Sequence, residues 1–180
     1  VETFVAPKPF VEDPRYEKAR RDALAELDLD SIDEPIVDIV AGFGAVPHCF
    51  TLQSCYGHFV CAPGQDPRSL DPMTRGCAGR VRYRIAYIGF CLENSRRGRA
   101  LRESLARVPA IDPDCVQFGS AEWFWKQYAN SYALQVEPLA QRLLDEAVLE
   151  PDEALHIQNV RDLFFEELRR ILAAELRPAG

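Results

Sequence analysis

Apolar positions recur along the chain with two periods. Tyr16, Ala19, Ala23, Leu24 and Leu27 are spaced by three or four with charges between them, which is one face of a helix. Asp13-Pro14 ahead of them is an N-cap acid followed by proline at the first helical position, so helix one is expected to run from there to about Asp28. Ser31 with Glu34 three residues later reads as a capping box with Pro35 in the first turn. Ile36, Val37, Ile39, Val40 and Phe43 then form a second, strongly apolar helix, ended by Gly42, Gly44 and Pro47. Cys49 to Gln53 is a candidate strand. Its expected partner is Tyr56 to Cys61, across a sharp turn at Ser54–Gly57. Alternation is clearest over Val81 to Leu92. Arg82, Arg84, Ala86, Ile88 and Phe90 fall on one side, and Val81, Tyr83, Ile85, Tyr87 and Gly89 on the other. After a cap at Asn94, a helix carries Ala100, Leu101, Leu105 and Val108 and stops at Pro109. Cys115–Phe118 and Ser131–Val136 read as strands, and Ala121–Tyr128 as a short helix or bent strand. Glu153 to Leu176 is a long amphipathic helix with Leu155, Val160, Leu163, Phe164, Leu168, Ile171 and Leu172 inward.

These elements predict a single-domain α/β protein. A mixed sheet of about five or six strands is flanked by helices and closed by the long C-terminal helix. Residues 1–12, with Pro7 and Pro9, read as an extended N-terminal arm and 13–180 as the domain. The stretch 62–79 holds Pro63, Gly64, Pro67, Pro72, Gly76 and Gly79 with little apolar periodicity. Loops of that length are functional or mobile. This one leaves directly from the Ser54–Gly57 turn and its strand, where it is either a lid or a disordered insertion.

Composition adds limits. At 180 residues the chain is long enough to bury a core of its own. No apolar run approaches the ~20 residues of a membrane-spanning helix. The first ten residues lack the basic start and apolar run of a signal peptide, so a cytoplasmic protein without membrane contact is expected. Six cysteines are too sparse for a disulfide-stapled fold and read as reduced thiols. A net charge of −7 argues against broad binding to nucleic acid. The basic residues are nearly all arginine, clustered at Arg80, Arg82 and Arg84 and at Arg96, Arg97, Arg99 and Arg102. Such clusters are either local sites for phosphate or carboxylate or solvated faces. Of Trp123 and Trp125, two residues apart in an aromatic run with Phe124, Tyr128 and Tyr132, one is expected in the core and one exposed. An exposed one is a platform for a base or another planar ligand.

Candidate chemistry concentrates in His48–Cys61, which holds His48, His58, Cys49, Cys55 and Cys61. With Cys77 downstream these are enough soft ligands for zinc. In a continuous strand, however, His58 faces away from Cys55 and Cys61, because the separations are odd. No common paired spacing is present, so no metal is expected. Cys55 is also a candidate nucleophile, with His58 three residues on, or else a packed thiol beside a glycine-dependent turn. There is no Walker loop, dinucleotide-binding Gly-x-Gly-x-x-Gly, Gly-x-Ser-x-Gly elbow or His-Glu-x-x-His.

The order of parts carries one resemblance. Asp33-Glu34-Pro35-Ile36-Val37-Asp38-Ile39-Val40 is followed, after a short spacer, by Cys49-Phe50-Thr51-Leu52-Gln53-Ser54-Cys55-Tyr56-Gly57-His58. This resembles the wybutosine-synthesis methyltransferases, which act on a tricyclic guanosine in tRNA and carry a Thr-x-Ser-Ser-Cys-Ser-Gly-Arg strand and turn. The likeness covers about Asp13 to Leu176, with Thr51, Ser54, Cys55 and Gly57 as its matched positions. Leu52 and Gln53 depart from the pattern, His58 stands for its arginine, and the family's Trp-x-x-x-Trp-His motif has no counterpart. The resemblance implies the α/β fold, S-adenosylmethionine as methyl donor and a tRNA base as acceptor. It further implies that Ser54, Cys55 and His58 line the pocket, that Thr51 and Gly57 shape it, and that Arg82 and Arg84 meet a carboxylate or phosphate. Two other classes stay open. One is a non-enzymatic binding or assembly protein using the terminal helix and aromatic run; the other is a cysteine- or zinc-dependent enzyme built on Cys55.

Overall fold

The computed structural model describes residues 4–74, 76–77 and 79–177. Val1–Thr3 of the expected arm, Arg75 and Ala78 of the long loop, and the last three residues of the domain lie outside them. In chain order the elements are β1 (Phe4–Val5), α1 (Tyr16–Glu26), α2 (Val37–Ala45), β2 (Cys49–Cys55), β3 (His58–Val60), β4 (Val81–Arg84), β5 (Ala86–Leu92), α3 (Arg96–Leu105), β6 (Val116–Ala121), α4 (Glu122–Gln127), β7 (Ser131–Val136), β8 (Glu146–Leu149) and α5 (Pro151–Glu175). The α/β class, the helices around the sheet and the long C-terminal helix are as expected. The large sheet has five strands in the order β1-β6-β7-β5-β2, and a second sheet of three strands follows the order β3-β4-β8. Every strand pairing among the described residues is antiparallel.

The two sheets arise because the chain changes sheet twice. The expected strand Val81–Leu92 is broken at Ile85. β4 pairs with β3 and β8, while β5 pairs with β2 and β7. Inward residues are odd-numbered before the break (Val81, Tyr83) and even-numbered after it (Ala86, Ile88, Phe90). The buried Tyr83 hydroxyl fixes the break, accepting the Ala86 N–H at 2.9 Å and donating to the Val136 carbonyl at 2.9 Å. The same switch occurs between β2 and β3, so Tyr56–Cys61 is not the partner of Cys49–Gln53. Gly57 makes that corner at φ +91°, where glycine alone is unstrained. A Cβ there would lie 2.9 Å from Ala86 Cβ and 3.1 Å from Ala86 N, so the two crossings are packed directly on one another.

One apolar core spans both sheets and takes in α2, α3 and α5. The buried stripe of α5 is Ala154, Ile157, Val160, Phe164, Leu168, Ile171 and Leu172, with Arg161 and Phe165 beside it. Leu163, expected inward, is 52% exposed, because it sits a third of a turn off that stripe. α1 covers the other face of the large sheet through Tyr16 against Phe50 and Cys91. Two local expectations change. Ser31 builds no capping box; its hydroxyl donates to the Asp28 carbonyl in a short 3-10 turn. Ser95, not Asn94, caps α3 by accepting the Gly98 N–H. The N-terminal arm is tied down, with the Asn130 side chain exchanging two hydrogen bonds with the Val11 backbone. No helix among the described residues is long and apolar enough to cross a membrane.

The packing at the double crossing sets a prediction. Gly57→Ala is expected to cost about 2–4 kcal/mol, from the positive φ and the contact with Ala86 together. Gly64→Ala, at φ +82° with nothing within 4 Å, is expected to cost only about 1 kcal/mol. Urea denaturation of both variants checks this; equal losses would mean that the packing at the crossing contributes nothing.

Candidate functional site

The Ser54–His58 corner gathers three chemically active side chains from three elements. Asp33 lies just before the 3-10 turn that opens α2, Cys55 ends β2 and His58 starts β3. The Asp33 carboxylate accepts the Tyr56 N–H at 2.8 Å, and its Oδ2 lies 3.3 Å from His58 Nε2. His58 Nδ1 donates to the Ser69 carbonyl at 3.2 Å, which brings that part of the loop against the corner. Gln65 pins that loop, taking the Cys61 N–H and donating to the Phe59 carbonyl, and the Met73 N–H donates to Gln158 of α5. Ser69 is the residue of this stretch that meets His58.

One ligand-type atom of Asp33, of Cys55 and of His58 lie within 4.8 Å of one another, with Cys55 and His58 both buried. The strand-parity argument therefore does not hold at this corner: Gly57 turns the chain out of one sheet before His58 enters the other. The His58 imidazole has an acceptor at each nitrogen. Its hydrogen bond to Asp33, with Cys55 as a second partner, pushes its pKa up to about 10. In turn the hydrogen bond from His58, helped by the Tyr56 N–H, holds the Asp33 carboxyl below the usual range.

A cavity of about 580 Å³ opens beside the corner, on the face of the large sheet away from α5. Its floor follows the strand register. Gln117 pairs with Gln135, Gln135 with Tyr87, and Tyr87 with Cys55, a row on one face across β6, β7, β5 and β2. Gln135 and Tyr87 line the cavity with Gln53, and Phe4 and Phe124 wall it. Arg84 stands at its edge and is the cross-strand partner of His58. The segment 142–146, with Arg142, Asp145 and Glu146, closes the far side.

The expected site residues divide. Cys55, Gly57, His58 and Arg84 meet at the corner. Thr51 and Ser54 pair with Phe90 and Ile88, so they face the other way; at the open edge of β2 they line a second cavity with Trp123 and Tyr128. Arg82 is on the outer surface beside Glu146, at 3.8 Å. Trp123 is the exposed tryptophan, at 57%, while Trp125 packs against Tyr132 under Lys8. The sequence pattern gave Asp33 no role beyond its place between Ser31 and Glu34 and in the resembling motif, and it pointed to none of Gln53, Tyr87 and Gln135. An acid directly before Glu-Pro, offset from the apolar stripe, was the available signal for Asp33. The glutamine row needed the register, which no local pattern supplies.

No protein-family model matches the chain, and no curated protein matches it. Among solved structures it is similar to the PH1069 protein from Pyrococcus horikoshii. One such structure gives a TM-score of 0.49 at 11% identity, covering 89% of this chain and 96% of that one. A second, from Pyrococcus horikoshii OT3, gives 0.46 at 12% identity, covering 92% and 97%. A hypothetical protein from Aeropyrum pernix gives 0.42 at 11% identity, covering 78% and 98%. None of the three is described by an activity.

Beneath the glutamine row lies Glu137, fully buried. Its Oε1 accepts from the Gln135 amide and its carbonyl from Gln117, while Oε2 has no hydrogen-bond partner among the described residues. Burial, then the nearby Asp145, pushes its carboxyl up to about 8. The folded chain thus keeps a proton that the unfolded chain releases near pH 4.3. The associated stability is full below about pH 4.3 and is lost as pH rises through about 8. Glu137→Gln is expected to add about 2 kcal/mol at pH 8.5 and little at pH 4. Urea midpoints across that range check it, and a gain independent of pH would contradict the assignment.

Proposed function

We propose that the chain binds a small ligand or nucleotide in the cavity beside the Cys55–His58 corner, and that its activity is S-adenosylmethionine-dependent methylation of a nucleobase in RNA. The observation that carries this reading is the in-register floor of Gln135 and Tyr87, bordered by Arg84. A cavity of about 580 Å³ falls in the range of small-molecule sites. Its lining suits the parts of the donor. Arg84 matches a carboxylate, Phe124 and Tyr87 an adenine ring, the amides of Gln53 and Gln135 a heterocycle edge, and Asp145 and Glu146 an ammonium or ribose hydroxyls. S-adenosylmethionine, when bound, supplies the electrophilic methyl group. The residues of this chain have to hold donor and acceptor in line and exclude water, the main requirement of methyl transfer.

The acceptor side is supported by Trp123, exposed at the rim of the second cavity, which Gln53 connects to the first. An exposed indole stacks a splayed base at a cost in sequence selectivity but with useful affinity. The acidic chain favours such local contacts over a broad phosphate track.

Calorimetry with S-adenosylmethionine tests the reading. Micromolar binding is expected, with Arg84→Ala and Gln135→Ala each weakening it by about tenfold. No heat at millimolar ligand with folded protein sinks the proposal. Transfer of labelled methyl to tRNA carrying the tricyclic precursor tests the second half; binding without transfer would move the chain to the class of non-enzymatic binding proteins.

A further inference from the structure

The corner carries a second chemistry. We propose that Asp33, Cys55 and His58 form a mononuclear zinc-type site with three protein ligands. This goes beyond the methyltransferase reading and does not rest on it.

Geometry comes first. A carboxylate oxygen, a thiol sulfur and an imidazole nitrogen converge to within 4.8 Å of one another. Around a tetrahedral ion with bonds of ~2.0–2.3 Å, ligand atoms stand roughly 3.3–3.8 Å apart. The Asp33 Oδ2–His58 Nε2 separation is 3.3 Å, already such an edge. The three ligands come from a turn, a strand end and a strand start, all held by the double sheet crossing, so the set is preorganised by the fold.

The outer hydrogen bonds are those of a metal site. A ligating histidine almost always donates its far ring N–H to a carbonyl or carboxylate, which fixes the tautomer and ring plane. His58 Nδ1 does this to Ser69, leaving Nε2 toward Asp33 and Cys55. The Tyr56 N–H orients the Asp33 carboxylate in the same way. The donor set is selective. A thiolate disfavours magnesium and calcium, a carboxylate disfavours copper(I), and one sulfur, one nitrogen and one oxygen suit zinc. Arg84 is the neighbouring cation, but its side chain is exposed and its opposing field is screened by water.

A second cluster provides an internal control. Asp112, Cys115 and His156 also lie within 4.8 Å of one another. There the His156 side chain is 57% exposed and its Nε2 is paired with Asp112 at 2.7 Å.

The test uses the full chain without a histidine tag, stripped with chelator and reloaded with Zn²⁺ or Co²⁺. About one equivalent of metal per chain is expected, with a sulfur-to-cobalt charge-transfer band in the near ultraviolet. Cys55→Ser should abolish the band, Asp33→Asn and His58→Gln should weaken Zn²⁺ binding at least tenfold, and Cys115→Ser should leave both unchanged. Circular dichroism confirms folding of each variant. If Cys55→Ser does not fold, loss of metal in folded His58→Gln decides the matter. Failure of the stripped wild-type chain to retain stoichiometric metal overturns the proposal, as does a band that survives Cys55→Ser and disappears in Cys115→Ser. Calorimetry with S-adenosylmethionine on the stripped protein gives a separate answer, so either reading can fail alone.

Discussion

Two chain segments leave one sheet for another at the same place, and that crossing organises everything around it. β2 gives way to β3 at Gly57, and β4 to β5 at Ile85, with Gly57 seated on Ala86. A strand that leaves its sheet abandons its ladder partners, so each corner exposes backbone groups that burial makes costly. Here they are answered from inside the protein. Tyr83 takes the Ala86 N–H and reaches Val136, Asp33 takes the Tyr56 N–H, and Arg161 of α5 donates to the Gly57 carbonyl at 3.0 Å. Arg161 is itself buried, stacked 4.0 Å over the Tyr56 ring and neutralised by Asp162. A corner so fully satisfied has little freedom to drift, which suits side chains that must hold a fixed geometry.

Arginine plays this strut role repeatedly. Arg20 donates to the carbonyls of Gly44, Val46 and Cys49 where α2 ends and β2 begins. Arg102 reaches the Lys8 carbonyl over the Tyr132 ring and anchors the N-terminal arm. Arg169 holds Pro35 and Asp38 at the start of α2. Each uses the planar, multi-donor guanidinium to gather carbonyls or carboxylates that regular structure leaves open. The chain's preference for arginine over lysine therefore has a structural cause, and only Arg84 of the first cluster stands where a ligand would meet it.

Local pattern and non-local pairing explain what could be read in advance. The 3.6 and 2.0 periods report which residues are inward, and they placed α1, α2, α5 and β7 within a few residues. They do not report which strand a segment pairs with, so Val81–Leu92 looked like one strand although its faces changed character halfway. Arg82 and Arg84 shared a side with Ala86, Ile88 and Phe90, a mixture no single sheet face accommodates. Strand parity failed at Cys55 and His58 for the same reason. Their three-residue separation spans a corner, so two sheets bring together what one would hold apart. β8 escaped notice because its four residues alternate between buried and exposed too briefly to stand out.

The His58 ring connects these levels. Its outward position on β3 would face solvent, yet the residue is buried because Asp33 and the Ser69 turn close over it. One imidazole thus ties the segment before α2 to the loop after β3, and through Arg84 on the neighbouring strand to the edge of the cavity. The cavity floor belongs to the large sheet, while its border at Arg84 and Glu146 belongs to the small one. Anything seated there touches both sheets. The three groups at the corner and the ligand-sized space beside them therefore depend on the same crossing, and a change in how the loop lies over His58 would be felt on both sides of it.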